Sequence, residues 1–287
     1  MQRADIDGIE IAYDVIGVGR PWTITPGGRY SKDDPGIRQL GEALSAAGYS
    51  AIIWDRPNCG DSDVSFRGPN ESAVQADALA GLLRHLDCGP AIIAGGSGGS
   101  RVSLLAAARH PELARGLAVW WISGGIYGLM SLGMYYCGGS LDAAWHGGME
   151  AVAALPEWQE VQQRNPRNRD IILSQDRVEF IKMMEQWMEV YFPNPAEPVP
   201  GLTDAQAKAV LTFPSLVFRS GASDLAHTRA TSENLFSVLP NAEMVEPPWG
   251  DTEWNDRHTP EAQKEGLFFH WPMLAPQLLE WAERHGI

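Results

Sequence analysis

A serine enclosed by glycines is the first candidate for chemistry in this chain. The segment Gly95-Gly96-Ser97-Gly98-Gly99 matches the pattern G-x-S-x-G. In that pattern the serine lies on a strained turn between a strand and a helix, and its hydroxyl projects above the sheet as a nucleophile. The N–H of Gly98 would lie at the helix N-terminus, where it can stabilise an oxyanion. A flexible glycine turn or a phosphate-binding loop is the alternative, but G-x-G-x-x-G and the P-loop lysine are both absent.

The elements around this turn alternate between strands and helices. Apolar or alternating runs predict strands at 9–13, 22–25, 49–54, 91–94, 117–122, 216–218 and 243–245. Helical patterns follow most of them, at 36–47, 73–86, 98–109, 228–239 and 275–285. Such alternation predicts a parallel sheet with helices on both faces, and the early antiparallel strand makes the sheet mixed. The sequence therefore places Ser97 where a central strand enters a helix.

The alternation stops between about residues 124 and 204, where the chain reads as helix and is rich in Met, Trp and Tyr. A proline-rich segment at 194–201 would form the exit from this region. We expect an α/β core made of residues 1–123 and 205–287, and a helical cap made of residues 124–204.

The chain at this point resembles the α/β-hydrolase superfamily, specifically its G-x-S-x-G serine hydrolases with a helical cap. Pro26-Gly27-Gly28 follows a strand where the family usually has His-Gly-x. Residues 55–63 resemble the structural D-x-R-G-x-G-x-S-D stretch, and residues 219–224 resemble the G-x-x-D segment that supplies the acid. The resemblance implies a three-layer fold with a mostly parallel eight-stranded sheet and a cap inserted after strand 6.

The family's catalytic residues follow the order Ser…Asp…His along the chain. The resemblance assigns the nucleophile to Ser97 and the acid to Asp224. It also assigns the two N–H groups of the oxyanion hole to Gly28 and Gly98.

The histidine is the point at which this chain departs from the family. Gly250-Asp251 stands where the family commonly has Gly-His, and an Asp cannot replace an imidazole as base at neutral pH without a large pKa shift. We expect His270 to be the base, since it precedes the last helix if residues 252–269 are an insertion. His258, inside that insertion, and His227, three residues after the acid, are the alternatives, and a missing base is left open. Some relatives share an Asp-x-x-His pair, which favours His227 as a pocket residue.

Other residues are candidates for binding substrate. Arg101, four residues after the nucleophile, would either pair with a carboxylate or bind an anionic substrate group. Tyr127, Met130, Tyr135 and Trp187 are candidates for the pocket lining, and each could equally belong to the cap core. An apolar cap predicts a medium-sized hydrophobic substrate.

Composition limits the partners and the compartment. The formal net charge of −14 repels phosphate backbones and anionic lipids, so neither nucleic acid nor a membrane is expected as a partner. The three cysteines show no zinc-ligand spacing, and no secretory leader or membrane span is recognised in the sequence. We expect a cytoplasmic protein that needs no metal or organic cofactor and acts on a small molecule; a homodimer is left open.

These patterns together predict a serine hydrolase that cleaves an ester, a lactone or a related acyl bond. A C–C bond hydrolase, a lyase or a cofactor-free haloperoxidase on the same fold is one alternative, because these enzymes share the nucleophile turn. A ligand-binding relative with degenerate catalysis is another, and the displaced histidine motivates it.

Overall fold

The computed structural model describes residues 1–287 and contains one eight-stranded sheet. Its strands are β1 (Gln2–Ile6), β2 (Ile9–Ile16), β3 (Arg20–Thr25), β4 (Tyr49–Trp54), β5 (Ala91–Gly96), β6 (Ala114–Trp120), β7 (Ser215–Phe218) and β8 (Ala242–Val245). They lie in the order β1-β2-β4-β3-β5-β6-β7-β8. The pairings β1 with β2 and β2 with β4 are antiparallel, and all the others are parallel. The predicted mostly parallel eight-stranded sheet is confirmed.

Helices connect the strands. They are α1 (Ile37–Ala46), α2 (Glu71–His85), α3 (Gly98–Arg109), α4 (Gly125–Gly133), α5 (Gly139–Ala153), α6 (Pro156–Arg164), α7 (Arg167–Leu173), α8 (Arg177–Glu189), α9 (Asp204–Val210), α10 (Arg229–Val238), α11 (Glu253–Asp256), α12 (Pro260–Gln263) and α13 (Ala275–His285). A π-helical turn at Met134–Gly138 joins α4 to α5, and 3₁₀ turns lie at Pro111–Leu113 and Trp271–Leu274. None of these helices combines the length and the apolar character that a membrane span requires.

The strands from β3 to β7 are buried on both faces of the sheet, which explains why they are mostly continuous apolar runs rather than alternating ones. Successive residues of β4 show this, because Ile52 belongs to the core beneath α2 and α3 and Ile53 belongs to the core beneath α1 and α13. The same division separates Ile93 from Ile92 in β5. The result is the three-layer arrangement that the sequence predicts.

The helices from α4 to α8 lie between β6 and β7 and form their own hydrophobic core. Trp158, Phe180 and Trp187 are in this core, and Phe66 joins it from the loop before α2. Helix α9 packs instead with the sheet core through Ala207. The division of the chain into two domains stays a prediction, but a separate cluster of apolar side chains lies where the cap is expected.

Candidate active site

Ser97 lies on the turn between β5 and α3, with a φ of 56° and a ψ of −129°. A positive φ is strained for a residue with a side chain and persists only where the surroundings hold it. The glycines beside it allow this close approach. A Cβ on Gly95 would lie 2.6 Å from the carbonyl oxygen of Gly99, and one on Gly99 would lie 2.0 Å from the carbonyl oxygen of Thr25. The turn therefore has the strained geometry that the glycine pattern predicts.

Three side chains form a chain of hydrogen bonds that begins at Ser97. The Oγ of Ser97 lies 2.9 Å from Nε2 of His227, and Nδ1 of His227 lies 2.9 Å from Oδ2 of Asp224. A carboxylate only accepts hydrogen bonds, so in the neutral ring Nδ1 carries the proton and donates it to Asp224. Nε2 then presents its lone pair to the hydroxyl of Ser97. All three residues are buried.

The loop after β7 holds the acid and the histidine together. The Oδ1 of Asp224 accepts the backbone N–H groups of Ala226 and His227, each at 2.8 Å. This leaves Oδ2 for the imidazole, and the side chain of Thr228 then caps α10 immediately afterwards. Asp224 and His227 can therefore act as a pair although only three positions separate them, because the carboxylate both shapes the turn and orients the imidazole ring.

Two aromatic rings pack against the imidazole of His227. Trp254 of α11 packs edge-to-face with His227, with ring centroids 4.3 Å apart, and Trp121 stacks at 6.1 Å. These contacts restrict the rotation of the histidine ring, which keeps Nε2 directed at Ser97. No sequence pattern singled out either tryptophan.

Two backbone N–H groups lie beside Ser97. Gly98 is the first residue of α3, so its N–H has no partner within the helix, and the N–H of Gly28 makes no hydrogen bond within the protein. The amide of Gly28 lies 3.4 Å from the position that a Cβ on Gly98 would take. Gly27 brings this loop against the serine, since a Cβ on it would lie 2.9 Å from Ser97 Oγ.

Arg56 fixes the orientation of this loop. Its Nη2 donates to the carbonyl oxygens of Gly27 at 3.0 Å and of Gly28 at 2.8 Å. The N–H and C=O of a trans peptide point in opposite directions, so holding the Gly27 carbonyl aims the Gly28 N–H away from Arg56. Asp55 anchors the neighbouring chain by accepting the N–H groups of Lys32 at 2.6 Å and Asp61 at 2.9 Å. The Asp-Arg pair thus has the structural role that the resemblance implies.

A pocket of about 390 Å³ opens above Ser97, and Gly28 and His227 lie in its wall. Half of its 16 lining residues are hydrophobic. The apolar part of the wall is formed by Tyr30, Tyr127, Leu132, Tyr135, Ala226, Trp254, Leu267 and Phe268. A volume of this size is typical of sites for small organic molecules.

Comparisons with known proteins agree with this architecture. A family model described as the alpha/beta hydrolase fold matches residues 26–119, which include the loop at Gly28 and the turn at Ser97. One similar solved structure is described as Est816, an N-acyl homoserine lactone degrading enzyme; it is 18% identical, with a TM-score of 0.60 and full coverage of both chains. The chain has the α/β-hydrolase fold. No curated protein sequence matches it.

Two further solved structures share this α/β-hydrolase fold. The enol-lactonase from Burkholderia xenovorans LB400 is 18% identical, with a TM-score of 0.57, over 98% of this chain and 100% of that one. A thermophilic esterase from Thermogutta terrifontis is 20% identical, with a TM-score of 0.60, over 99% of this chain and 100% of that one. At these identities the likeness concerns the fold.

The expectation that His270 accompanies Ser97 is corrected by the structure. Nδ1 of His270 lies 2.8 Å from Oε1 of Glu253, and its ring does not line the pocket. His258 does line the pocket, where its Nδ1 donates to the carbonyl oxygen of Trp254 at 2.7 Å. Asp251, in the family's Gly-His position, is exposed and pairs with Arg229 at 2.6 Å. The loop after β7 places His227 beside Ser97, so the segment after β8 does not supply the histidine that contacts the serine.

The cap residues named from the sequence divide into two groups. Tyr127 and Tyr135 line the pocket as expected, and the backbone N–H of Arg29 donates to the hydroxyl of Tyr135 at 3.2 Å. Met130 and Trp187 do not line it. Met130 projects partly into solvent from α4, and Trp187 is 1% exposed in the cap core. Aromatic and Met content does not distinguish these two environments, because both need large apolar side chains.

Arg101 is also absent from the pocket wall. It is buried behind the site, where its Nε donates to Ser72 Oγ at 2.8 Å and its Nη2 donates to the hydroxyl of Tyr191 at 3.0 Å. No carboxylate is bonded to it, and its place outside the pocket wall does not favour the predicted contact with a substrate group. The sequence showed that this charge needs a partner, and the structure supplies neutral hydroxyl groups and aromatic rings instead.

One group of carboxylates has metal-like spacing, at Asp33, Asp55 and Asp61. Their oxygens already have partners: Asp55 accepts two backbone N–H groups, Lys32 pairs with Asp33 at 2.7 Å, and Arg164 pairs with Asp61 at 3.3 Å. These contacts account for the cluster as a structural network that supports the loop after β3.

Proposed function

We propose that this protein is a serine hydrolase that cleaves an acyl bond, such as an ester or a lactone, of a medium-sized and largely apolar molecule. The observation that carries the proposal is the hydrogen-bonded chain from Ser97 through His227 to Asp224 at the base of the pocket. The same three residue types in this arrangement activate serine nucleophiles on several unrelated folds.

The reaction would proceed in two halves. The Oγ of Ser97 forms a bond to the substrate carbonyl carbon while Nε2 of His227 takes the hydroxyl proton. The carbonyl π electrons move to its oxygen, and the N–H groups of Gly28 and Gly98 stabilise this oxyanion. Collapse of the intermediate breaks the bond to the leaving alcohol, which takes the proton from His227. Water then repeats these steps on the acyl-enzyme, releasing the acid and restoring Ser97.

Asp224 would stabilise the imidazolium that forms in both halves. Its Oδ2 already accepts from Nδ1, so the ring needs no rearrangement when it gains a proton at Nε2. No metal takes part in this scheme. The ligand-binding alternative depended on a missing base, and His227 lies where that base is required.

Substrate size follows from the pocket. A volume of about 390 Å³, in which the apolar part of the wall is largely aromatic, accommodates an acyl group well beyond acetyl. The fold neighbours include two enzymes whose names state action on lactones and one esterase, which supports acyl bonds as the substrate class without choosing between open and cyclic esters.

A fluorophosphonate probe tests the proposal directly. It should label the protein at Ser97, as located by mass spectrometry of the peptide adduct, and Ser97→Ala should abolish labelling. Turnover of p-nitrophenyl butyrate and octanoate should exceed that of the acetate. Folded wild-type protein that the probe leaves unlabelled would contradict the proposal, and equal turnover of the acetate would contradict the predicted substrate size.

A further inference from the structure

The hydroxyl of Tyr136 has no hydrogen-bond partner although it is buried. The residue is 4% exposed, and its oxygen is one of 14 buried side-chain nitrogen and oxygen atoms without a partner. Burying a hydroxyl without a hydrogen bond costs stability, so a buried orphan in a folded protein calls for an explanation. The mechanism described above does not use this group.

The position of the hydroxyl suggests its role. A Cβ built on Gly98 would lie 2.7 Å from the oxygen of Tyr136 and 3.4 Å from the amide nitrogen of Gly28. The hydroxyl of Tyr136 and the amide nitrogen of Gly28 therefore both lie close to Gly98, the residue that follows Ser97. A side chain at position 98 would collide with the hydroxyl, and the glycine avoids this.

The surrounding elements hold Tyr136 in this position. It lies in the π-helical turn at 134–138, and such turns recur at functional sites. Its ring stacks on Tyr191 with centroids 5.9 Å apart and planes 15° apart, and the guanidinium of Arg29 lies 5.0 Å from its ring centroid. The orphan hydroxyl is thus carried on an ordered ring.

The charged side chains around Tyr136 carry an excess of positive charge, which favours a negative charge nearby. Arg29 pairs with Glu71, whereas Arg101 and Arg56 are buried against neutral hydroxyl groups and carbonyl oxygens. The buried arginines near Tyr136 therefore carry more positive charge than their partners neutralise. Burial raises the pKa of Tyr136 further above its ordinary value, so the phenol stays protonated and able to donate.

We propose that the hydroxyl of Tyr136 is a third donor of the oxyanion hole, acting with the N–H groups of Gly28 and Gly98. It would donate to the substrate oxygen when that oxygen acquires charge, and it would have no partner before then. This inference rests on the proposed function, because it assigns Tyr136 as a catalytic residue of the same site.

Tyr136→Phe tests the inference by removing one oxygen atom and retaining the ring. Removing one oxyanion donor typically lowers kcat by about 10² to 10³. We therefore expect kcat on p-nitrophenyl butyrate to fall about 100-fold with little change in KM, and the rate of fluorophosphonate labelling to fall with it. The inhibition constant of an alkyl trifluoromethyl ketone, which forms an oxyanion on the serine, should rise by a similar factor.

Tyr191→Phe is the matched control, since it removes a buried hydroxyl from the same cluster. That hydroxyl has a partner in Arg101, so its loss should lower the melting temperature and leave kcat within about threefold. Tyr136→Phe should show the opposite pattern, with an unchanged or higher melting temperature and a lower kcat, because it removes an unpartnered group.

The outcomes separate this inference from the proposed function. Wild-type labelling and turnover in Tyr136→Phe would overturn the inference and leave the proposed function intact. Equal losses of kcat in both variants would also overturn it, because they would indicate a packing role for the cluster. Wild-type protein that the probe does not label at Ser97 would instead overturn the proposed function.

Discussion

Replacing Asp224 by Asn should remove the base without removing the histidine. The Oδ1 of Asp224 accepts two backbone N–H groups at 2.8 Å each, and only an oxygen can do so. The amide oxygen of Asn must therefore stay there, and its NH₂ group must take the place of Oδ2, 2.9 Å from Nδ1 of His227. That group donates to Nδ1, so the ring proton moves to Nε2. Nε2 then faces Ser97 as a donor and no longer accepts its proton.

The size of the effect follows from the loss of proton transfer with the geometry retained. Holding the histidine of such a triad in the wrong tautomer lowers kcat by about 10⁴, or about 5 kcal/mol in activation free energy. We expect this fall in steady-state turnover of p-nitrophenyl butyrate for Asp224→Asn, with KM little changed. The melting temperature should stay within a few degrees, because both backbone hydrogen bonds of the turn remain.

Asp251→Asn is the control for this experiment. Asp251 occupies the family's Gly-His position but is exposed, and its side chain pairs with Arg229 at the surface. Its kcat should stay within about twofold of wild type. A kcat for Asp224→Asn within tenfold of wild type would refute the assignment of the tautomer and of the acid.

Three further changes test other parts of the structure. Gly27→Ala places a Cβ 2.5 Å from Cβ of Ser97, so kcat/KM on the same ester should fall by about 10² or more, while Gly250→Ala, which enters open space, should be silent. Trp187→Ala should lower the free energy of unfolding by about 3–5 kcal/mol in urea and leave kcat nearly unchanged; a large loss of kcat would place Trp187 in the pocket after all. Burial raises the pKa of Asp34 to about 6, so ionisation of this carboxyl destabilises the native state. The free energy of unfolding of the wild type therefore decreases as the pH rises from about 4 to 6. Asp34→Asn should therefore gain about 1–2 kcal/mol relative to wild type on going from pH 4.5 to pH 7.5, and a gain that is independent of pH would contradict the raised pKa.

The parts of the site that depend on local geometry could be predicted from sequence. Small residues around Ser97 are required wherever a helix passes close to a neighbouring strand, so the turn is visible as a glycine pattern. Gly28 and Asp224 lie in the loops that follow β3 and β7, and parallel strands bring their carboxyl ends to one edge of the sheet. These positions are fixed by the sheet order.

The identity of the histidine beside Ser97 depends on a contact that residue spacing does not reveal. Family analogy directs attention to the segment after β8, where Gly250-Asp251 breaks the pattern. The signal available was the Asp-x-x-His spacing of Asp224 and His227, but the carboxylate that closes this turn is evident only from its two backbone hydrogen bonds. Position in the chain favours His270, but the side chain of His270 is hydrogen-bonded to Glu253.

The sequence predicts that the cap is helical, but it does not predict which cap side chains face the pocket. Aromatic and Met residues fill both the pocket wall and the cap core, so composition could not separate Tyr127 from Trp187. The π-helical turn at 134–138 adds a further difficulty, since it shifts the helical phase. A regular helix cannot be extrapolated across it to place Tyr135 and Tyr136.

The central claim is that His227 activates Ser97, and three single substitutions test it most directly. Steady-state turnover of p-nitrophenyl butyrate should be measured for His227→Ala, His258→Ala and His270→Ala, with circular dichroism to confirm folding. The structure predicts that kcat falls by about 10³ or more in His227→Ala alone and stays within about tenfold in the other two. A folded His227→Ala variant with near-wild-type kcat, or an equal loss in His270→Ala, would contradict it.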